Sequence, residues 1–197
     1  MEDYPSISST PILGAHIYAF NKIDGSQIRA EWTSKRGFYK VGSRKHLIGV
    51  DTLFDRAWYL LGGTYQDVIG QVFRAQRWDR VVCFFELAGP GSFAGSHIRG
   101  ETLDLTLLDV SPYGQEGLIP PKEFIKLFEG VVGTPELVYR GETTEEFLES
   151  VRSSTELREG VVCKGRKDLM FKVKTRAWVS RVKALYAGDP DKLKELL

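Results

Sequence analysis

Apolar residues in this chain come in short runs broken by glycine or by charged clusters, a pattern that predicts half-buried strands more often than long amphipathic helices. Ala15 to Phe20, Gln27 to Trp32 and Phe38 to Val41 are partly alternating runs of this kind, as expected for an antiparallel meander. From Phe54 to Gln76 the period changes. Trp58, Leu61, Tyr65, Val68, Ile69, Val72 and Phe73 recur at helical spacing, and Gly62-Gly63 interrupts them, which predicts two short helices. Val81 to Leu87 and Leu103 to Val110 return to strand composition. Pro120-Pro121 then opens a helix through Phe128, with proline in the first turn, where its missing N–H is harmless.

Glu136 to Tyr139 reads as a strand, and Thr143-Thr-Glu-Glu146 has the spacing of a capping box that starts a helix through Val151. Gly160 to Lys164 and Leu169 to Lys174 are the last two strands. Trp178, Val182 and Leu185 mark one helical face after them, and Asp189-Pro190 supplies an N-cap and a first-turn proline for a final helix. Strands interleaved with helices without βαβ regularity predict an α+β fold. No linker, repeat or low-complexity segment divides the chain, so one domain spanning 1–197 is expected.

Composition is near the globular average, which argues against a disordered, collagen-like or disulfide-scaffold chain. No apolar run reaches the ~20 residues of a membrane span, and the first residues lack the basic start and apolar stretch of a signal peptide, so a cytoplasmic protein without a membrane partner is expected. Cys83 and Cys163 lie inside apolar runs and read as reduced core residues. His16, His46 and His97 have no metal-ligand spacing. The formal charge of +1 excludes little, because nucleic-acid binding needs a local basic face and not a basic total. The basic stretches are Lys35 to Lys45 and Lys164 to Lys183.

Three short elements carry candidate chemistry. Lys22-Ile-Asp24-Gly25 sits between two strand-like runs, and alone it matches a hairpin turn with a solvated lysine as well as a reactive amine. Glu159-Gly-Val-Val-Cys-Lys164 brackets an apolar strand with opposite charges. Residues five apart on a regular strand point to opposite faces, so both reach one ligand only where the strand twists or ends. Lys172-Val-Lys174 puts two lysines on one face of a strand. That arrangement suits a polyphosphate between them, and equally a lysine-guarded sheet edge.

Taken in order, these elements resemble the covalent nucleotidyltransferase superfamily of polynucleotide ligases and mRNA capping enzymes, and within it the ATP-dependent RNA ligases. Lys22-Ile-Asp-Gly-Ser is similar to the nucleophile motif and Gly42-Ser43-Arg44 to the Ser-Arg step after it. Cys83-Phe-Phe-Glu86-Leu resembles the third motif, Leu107-Leu-Asp109-Val the strand that follows, Glu159-Gly-Val-Val-Cys-Lys164 the fourth and Lys172-Val-Lys174 the fifth. The resemblance spans most of the chain. It implies a nucleotidyltransferase (ligase adenylation) domain: two mostly antiparallel sheets, flanking helices and an ATP groove between the sheets.

The same resemblance implies roles. Lys22 would attack the α-phosphate of ATP and carry AMP. Lys164, Lys172 and Lys174 would supply positive field at the phosphates, with Lys172 and Lys174 counted as catalytic. Asp24 and Glu159 would hold Mg2+ or Mn2+, and without the metal these carboxylates would oppose activation of the lysine. Glu86 would bind the ribose hydroxyls and Arg44 the ribose or a phosphate, while Gly25 belongs to the nucleotide-binding turn. Val161 or Val162, with Val162 preferred, would pack on the adenine. Two positions depart from the pattern: Leu108 stands where relatives commonly have an aromatic, and Asn21 where RNA ligases often have glutamate. Adenine selection is thereby less fixed than lysine chemistry.

The implied activity is sealing of an RNA 5′-phosphate to a 3′-hydroxyl, with a partner protein or domain available for RNA binding. A small DNA ligase or a GTP-using capping-type enzyme is the nearest alternative, disfavoured because only a short segment follows Lys174 where those relatives carry an oligonucleotide-binding-fold domain. A catalytically inactive nucleotide-binding module of an RNA-repair complex is the alternative from another class. The helix from Thr175, with Arg176, Arg181 and Lys183, is the candidate RNA-facing surface, and the stretch Lys35 to Lys45 is the alternative to it.

Overall fold

In the computed structural model of the chain, residues 2–43, 55–90, 102–166 and 169–197 are described. They form two compact units. One contains residues 2–6 and the described part of 24–135; the other contains residues 7–23 and 136–197.

The first unit is built on a four-stranded antiparallel sheet in the order β3-β2-β4-β5, from β2 (Ser26–Thr33), β3 (Gly37–Ser43), β4 (Arg80–Ala88) and β5 (Asp104–Pro112). Alternation sends Ile28, Ala30 and Trp32 of β2 and Cys83, Phe85 and Leu87 of β4 to one face. That face is covered by α1 (Asp55–Leu60), α2 (Gln66–Ala75) and α3 (Pro121–Phe128), and Phe73 holds the layer together through edge contacts with Trp32 and Phe128 at 5.1 and 6.2 Å between ring centroids. Pro121 stands in the first turn of α3, as expected. Gly62-Gly63 does not separate two helices. A π-helical turn, Leu61–Tyr65, joins α1 directly to α2, and its wider winding keeps both Leu61 and Tyr65 buried.

The second unit has its own antiparallel sheet in the order β6-β1-β7-β8, from β1 (His16–Asn21), β6 (Leu137–Glu142), β7 (Gly160–Lys164) and β8 (Met170–Lys174). Phe147, Leu148 and Val151 of α4 (Glu145–Ser153) pack on Ile17, Ala19, Val161, Cys163, Phe171 and Val173. The expected meander of the first three strands is therefore corrected. β1 pairs with β6 and β7, and only β2 and β3 form a hairpin, because the coil from Lys22 to Gly25 ends one sheet and begins the other.

Two further details differ from expectation. The cap of α4 is Thr144, whose Oγ1 accepts from Phe147 N–H at 3.1 Å, while Thr143 is held outside the helix by donating its N–H and its hydroxyl to the Ala15 carbonyl. In α5 (Arg176–Leu185), Trp178 and Val182 are buried, but Leu185 is 57% exposed and lies off the packed face. α6 (Pro190–Leu196) starts as expected, with Asp189 accepting from Lys192 N–H at 3.0 Å and Pro190 in the first turn. Cys83 and Cys163 are both free and buried, and burial pushes the Cys163 thiol up to about 12. No helix among the described residues is long and apolar enough to cross a membrane.

Gly160 has φ +146°, and a Cβ placed there would stand 2.0 Å from the Val173 carbonyl oxygen. Gly160→Ala is expected to lower unfolding stability by at least the ~1–3 kcal/mol of a strained backbone position, measured by denaturant unfolding. Gly188→Ala, where nothing lies within 4 Å of the added carbon, should stay within about 0.5 kcal/mol of the parent.

Candidate functional site

In the second unit, strand register decides which chemical groups meet. Phe20 stands opposite Val162, which stands opposite Lys172; Tyr18 is opposite Lys164, and Gly160 is opposite Lys174. These residues alternate with the buried set that packs on α4, so Phe20, Val162, Lys164, Lys172 and Lys174 occupy the other face of the sheet. Of the two valines considered for an adenine contact, Val161 is thus committed to the core and Val162 is on the lysine face. The same alternation places Asn21 with Ile17 and Ala19, away from Phe20.

Three chain segments are fastened together at one end of this face by backbone hydrogen bonds. Lys22, the residue after β1, donates its N–H to the Gly160 carbonyl at 2.8 Å, and Thr175 N–H donates to the Glu159 carbonyl at 2.9 Å. A regular strand would have sent Glu159 and Lys164 to opposite faces. The left-handed backbone at Gly160 breaks that regularity, and the Glu159 carboxylate reaches the lysines instead.

Glu159 is 2% exposed. Its Oε1 is 2.9 Å from Lys22 Nζ and 3.4 Å from Lys174 Nζ, and its Oε2 is buried without a hydrogen-bond partner among the described residues. One carboxylate is therefore shared by two lysines while its second oxygen has no protein partner among the described residues, a place for a water or another cation. A hard divalent ion fits that oxygen. No group of three His, Cys, Asp or Glu side chains that could hold a metal ion forms among the described residues.

Lys174 is held from several sides. Its ammonium lies 4.0 Å from the centroid of the Trp178 ring and donates to the Leu196 carbonyl at the end of α6. Burial pushes its pKa down to about 8; Glu159 pulls it up, and the charges of Lys172 and Lys22 push it down further. Trp178 is set in place by its own N–H, which donates to Thr175 Oγ1, the N-cap of α5, at 3.1 Å. Lys164 is 6% exposed, with its ammonium 5.1 Å from the Phe20 ring centroid.

The first unit holds the other sequence-predicted residues. Asp24 is buried just before β2, and Gly25 approaches β4 so closely that a Cβ would meet the Leu87 carbonyl oxygen at 2.4 Å, which explains the glycine of the Asp-Gly pair. Glu86 stands on β4 between Gln27 and Thr106, on the face opposite the core. A register shift in β5 leaves both Leu108 and Asp109 off the core between Leu107 and Val110. Arg44, His46 and His97 lie outside the described residues; His16 is exposed.

Sequence reasoning missed Tyr4. Its hydroxyl donates to Asp109 Oδ2, its ring is 5.0 Å from that of Phe84, and burial and then Asp109 hold its hydroxyl well above the usual pKa. Glu2 accepts from the Ser111 hydroxyl at 2.8 Å and Asp3 pairs with Arg29, so the start of the chain lies on the same sheet face as Glu86. Of the proposed RNA-facing helix, Arg176 is engaged by both oxygens of Glu149 at 2.6 and 2.7 Å, while Arg181 and Lys183 are exposed.

No protein-family model matches the sequence, and no curated protein matches it. Solved structures do match. An RNA ligase of Naegleria gruberi with pyrophosphate is similar at a TM-score of 0.70 and 15% identity over 93% of this chain and 58% of the ligase. Variants of that ligase with AMP and Mn, and with ATP and Mn, give TM-scores of 0.69 and 0.66 at 14% and 16% identity, over 92% and 87% of this chain. The chain spans 58% and 52% of those two ligase chains. Two four-stranded antiparallel sheets with flanking helices, matched at this level, give the chain the α+β nucleotidyltransferase fold of RNA ligases.

Proposed function

We propose that this chain is the nucleotidyltransferase part of an ATP-dependent RNA ligase, with Lys22 as the residue that takes up AMP. The observation that carries this reading is the buried Glu159 carboxylate shared by Lys22 and Lys174, on a sheet face that also bears Lys164 and Lys172. Four lysines gathered about one buried carboxylate give this part of the sheet an excess of positive charge, and a triphosphate is an anion suited to it.

In the proposed reaction, the neutral Lys22 amine forms a bond to the α-phosphorus of ATP, the bond to the β-phosphate oxygen breaks, pyrophosphate leaves and the amine proton passes to solvent. Lys172 and Lys174 face the charge that develops on the transferring phosphate. With its value at about 8, Lys174 is still cationic at pH 7. Asp24 and Glu159 are the proposed metal ligands; Mg2+ or Mn2+ bound there would relieve the Glu159–Lys22 pairing and offset phosphate charge. Lys164 contributes positive field. Glu86 and Arg44 are assigned to the ribose or a phosphate, and Val162, Leu108 and Gly25 to the nucleoside end; Asn21, which alternates away from Phe20 and Val162, is left out of that group. AMP then moves from Lys22 to an RNA 5′-phosphate, and a 3′-hydroxyl displaces it. A partner protein or domain that helps to hold RNA belongs to the same proposal, as does action within RNA repair in the cytoplasm.

Incubation with labelled ATP and a divalent metal, followed by denaturation, should leave one AMP on the protein through an acid-labile bond at Lys22. Lys22→Ala should remove the label and also lower stability, since it takes one cation from the buried Glu159 carboxylate; full labelling of that variant would falsify the assignment. Lys172→Ala and Lys174→Ala should each slow labelling by about a hundredfold or more. Near-normal rates in both would leave these lysines as guards of a sheet edge. A third measurement concerns Lys174 in metal-free protein. Its folded value of about 8 lies below the ordinary 10.5, so between those pH values the unfolded chain binds more protons and stability should rise with pH. Denaturant midpoints of Lys174→Met should lack that rise, while below about pH 7 the two proteins should share the same slope.

A further inference from the structure

At the tip of the β2–β3 hairpin the first unit gathers basic and aromatic side chains that the proposed chemistry does not use. Thr33 pairs with both Gly37 and Arg80, and Ser34 N–H donates to the Asp79 carbonyl at 3.0 Å, so the tip lies against the turn that leads into β4. The tip carries Lys35 and Arg36; the turn carries Arg77 and Arg80; all four are exposed. Lys40 stands directly across from Glu31 on β3. The exposed carboxylates of Asp79 and Glu2 are outnumbered there.

Two aromatic rings lie among these cations. Tyr113 donates its N–H to the Arg80 carbonyl at 2.9 Å, which brings its ring 3.9 Å from the Arg80 guanidinium, and the residue is 47% exposed. Arg36 lies 5.6 Å from the Tyr39 ring. Glu31 ties the cluster together: its Oε1 accepts from Tyr39 Oη at 2.5 Å and from the Arg80 guanidinium, while its Oε2 has no hydrogen-bond partner among the described residues. Glu31 is fully buried. Its geometric effect is to hold the Arg80 guanidinium beside the Tyr113 ring and to tie down the hydroxyl end of Tyr39.

We infer that this platform binds the unpaired strand of an RNA, with bases stacking on Tyr113, Tyr39 and the Arg80 plane and phosphates meeting Lys35, Arg36, Lys40 and Arg77. Fixed aromatic faces inside a cationic rim are the requirements for holding a single strand without reading its sequence, and the excess of positive charge favours a polyanion over a neutral or basic protein surface. The inference deepens the ligase reading by assigning an RNA surface, and it rests on that reading for the identity of the nucleic acid. It places the strand on this hairpin in preference to α5, where Arg176 is already engaged by Glu149.

The test uses a fluorescent single-stranded uridine 20-mer and the whole chain, with binding followed by anisotropy over a range of salt. Tyr113→Ala should weaken binding by about tenfold or more, and Tyr113→Phe should restore it, since the ring and not the hydroxyl stacks. The Lys35→Glu, Arg36→Glu double variant should weaken binding and flatten the dependence of log affinity on log salt. Both sets should form the Lys22–AMP adduct at the parental rate. Unchanged RNA affinity and salt slope in both sets, or an equal loss for a fully paired RNA duplex in Tyr113→Ala, would overturn the platform. Absence of the adduct in the parent protein would overturn the ligase reading instead, and the RNA measurements would still decide the surface.

Discussion

A buried carboxylate has to be neutralised where it stands, and Glu159 is neutralised by Lys22, just past the end of β1, and Lys174, the last residue of β8. That requirement fixes much of the second unit. β7 must lie between β1 and β8, so that Lys22 arrives from one side and Lys174 from the other. Gly160 must be glycine to turn Glu159 onto the lysine face, and Thr175 must end the strand at once so that Trp178 comes under Lys174. Removing either lysine alone would leave the carboxylate with less compensation than its burial demands. The strain is local, and it coincides with the place where an anionic substrate and a cation would redistribute the same charges.

The sequence made the elements legible because strand and helix periods are local. Every run read as a strand is one, to within three residues at the ends, and proline and aspartate marked the starts of α3 and α6. Partnership was not legible. Nothing in Ala15 to Phe20 says that its neighbours are β6 and β7 and not the strand that follows it, because pairing is decided by burial against α4 and by the coil at Lys22 to Gly25. The capping frame slipped by one residue because two threonines are adjacent and the first is held by Ala15. Leu185 fitted the helical period and yet lies past the edge of the packed face.

For the candidate site, the motifs gave the identities of Lys22, Glu159, Lys172 and Lys174, and register explains how three of those four reach one face. Charge pattern alone could not show that Glu159 is buried or that Lys174 is desolvated, the latter set against Trp178 and the end of α6. Tyr4 carried no signal at all. A tyrosine in an unpatterned start of chain becomes significant only when β5 shifts register and turns Asp109 toward it. Glu31 was hidden in the same way, reading as an ordinary polar position of an alternating strand until its partners Arg80 and Tyr39 are in place.

The pairing of β1 also bears on how the chain acquires its structure during synthesis. β1 ends at Asn21, and its first partner does not begin until Leu137. At ordinary rates of translation that interval is on the order of ten seconds, during which Ile17, Ala19 and Phe20 have no sheet to join. All the strands of the first sheet are made inside that interval, so it can close before the second begins. The second sheet must then recover its earliest strand across a long loop, a slow and non-local step. The nascent chain accordingly carries residues 16–21 without their sheet partners throughout that interval, and a chaperone that shields them would act on a strand still waiting to pair.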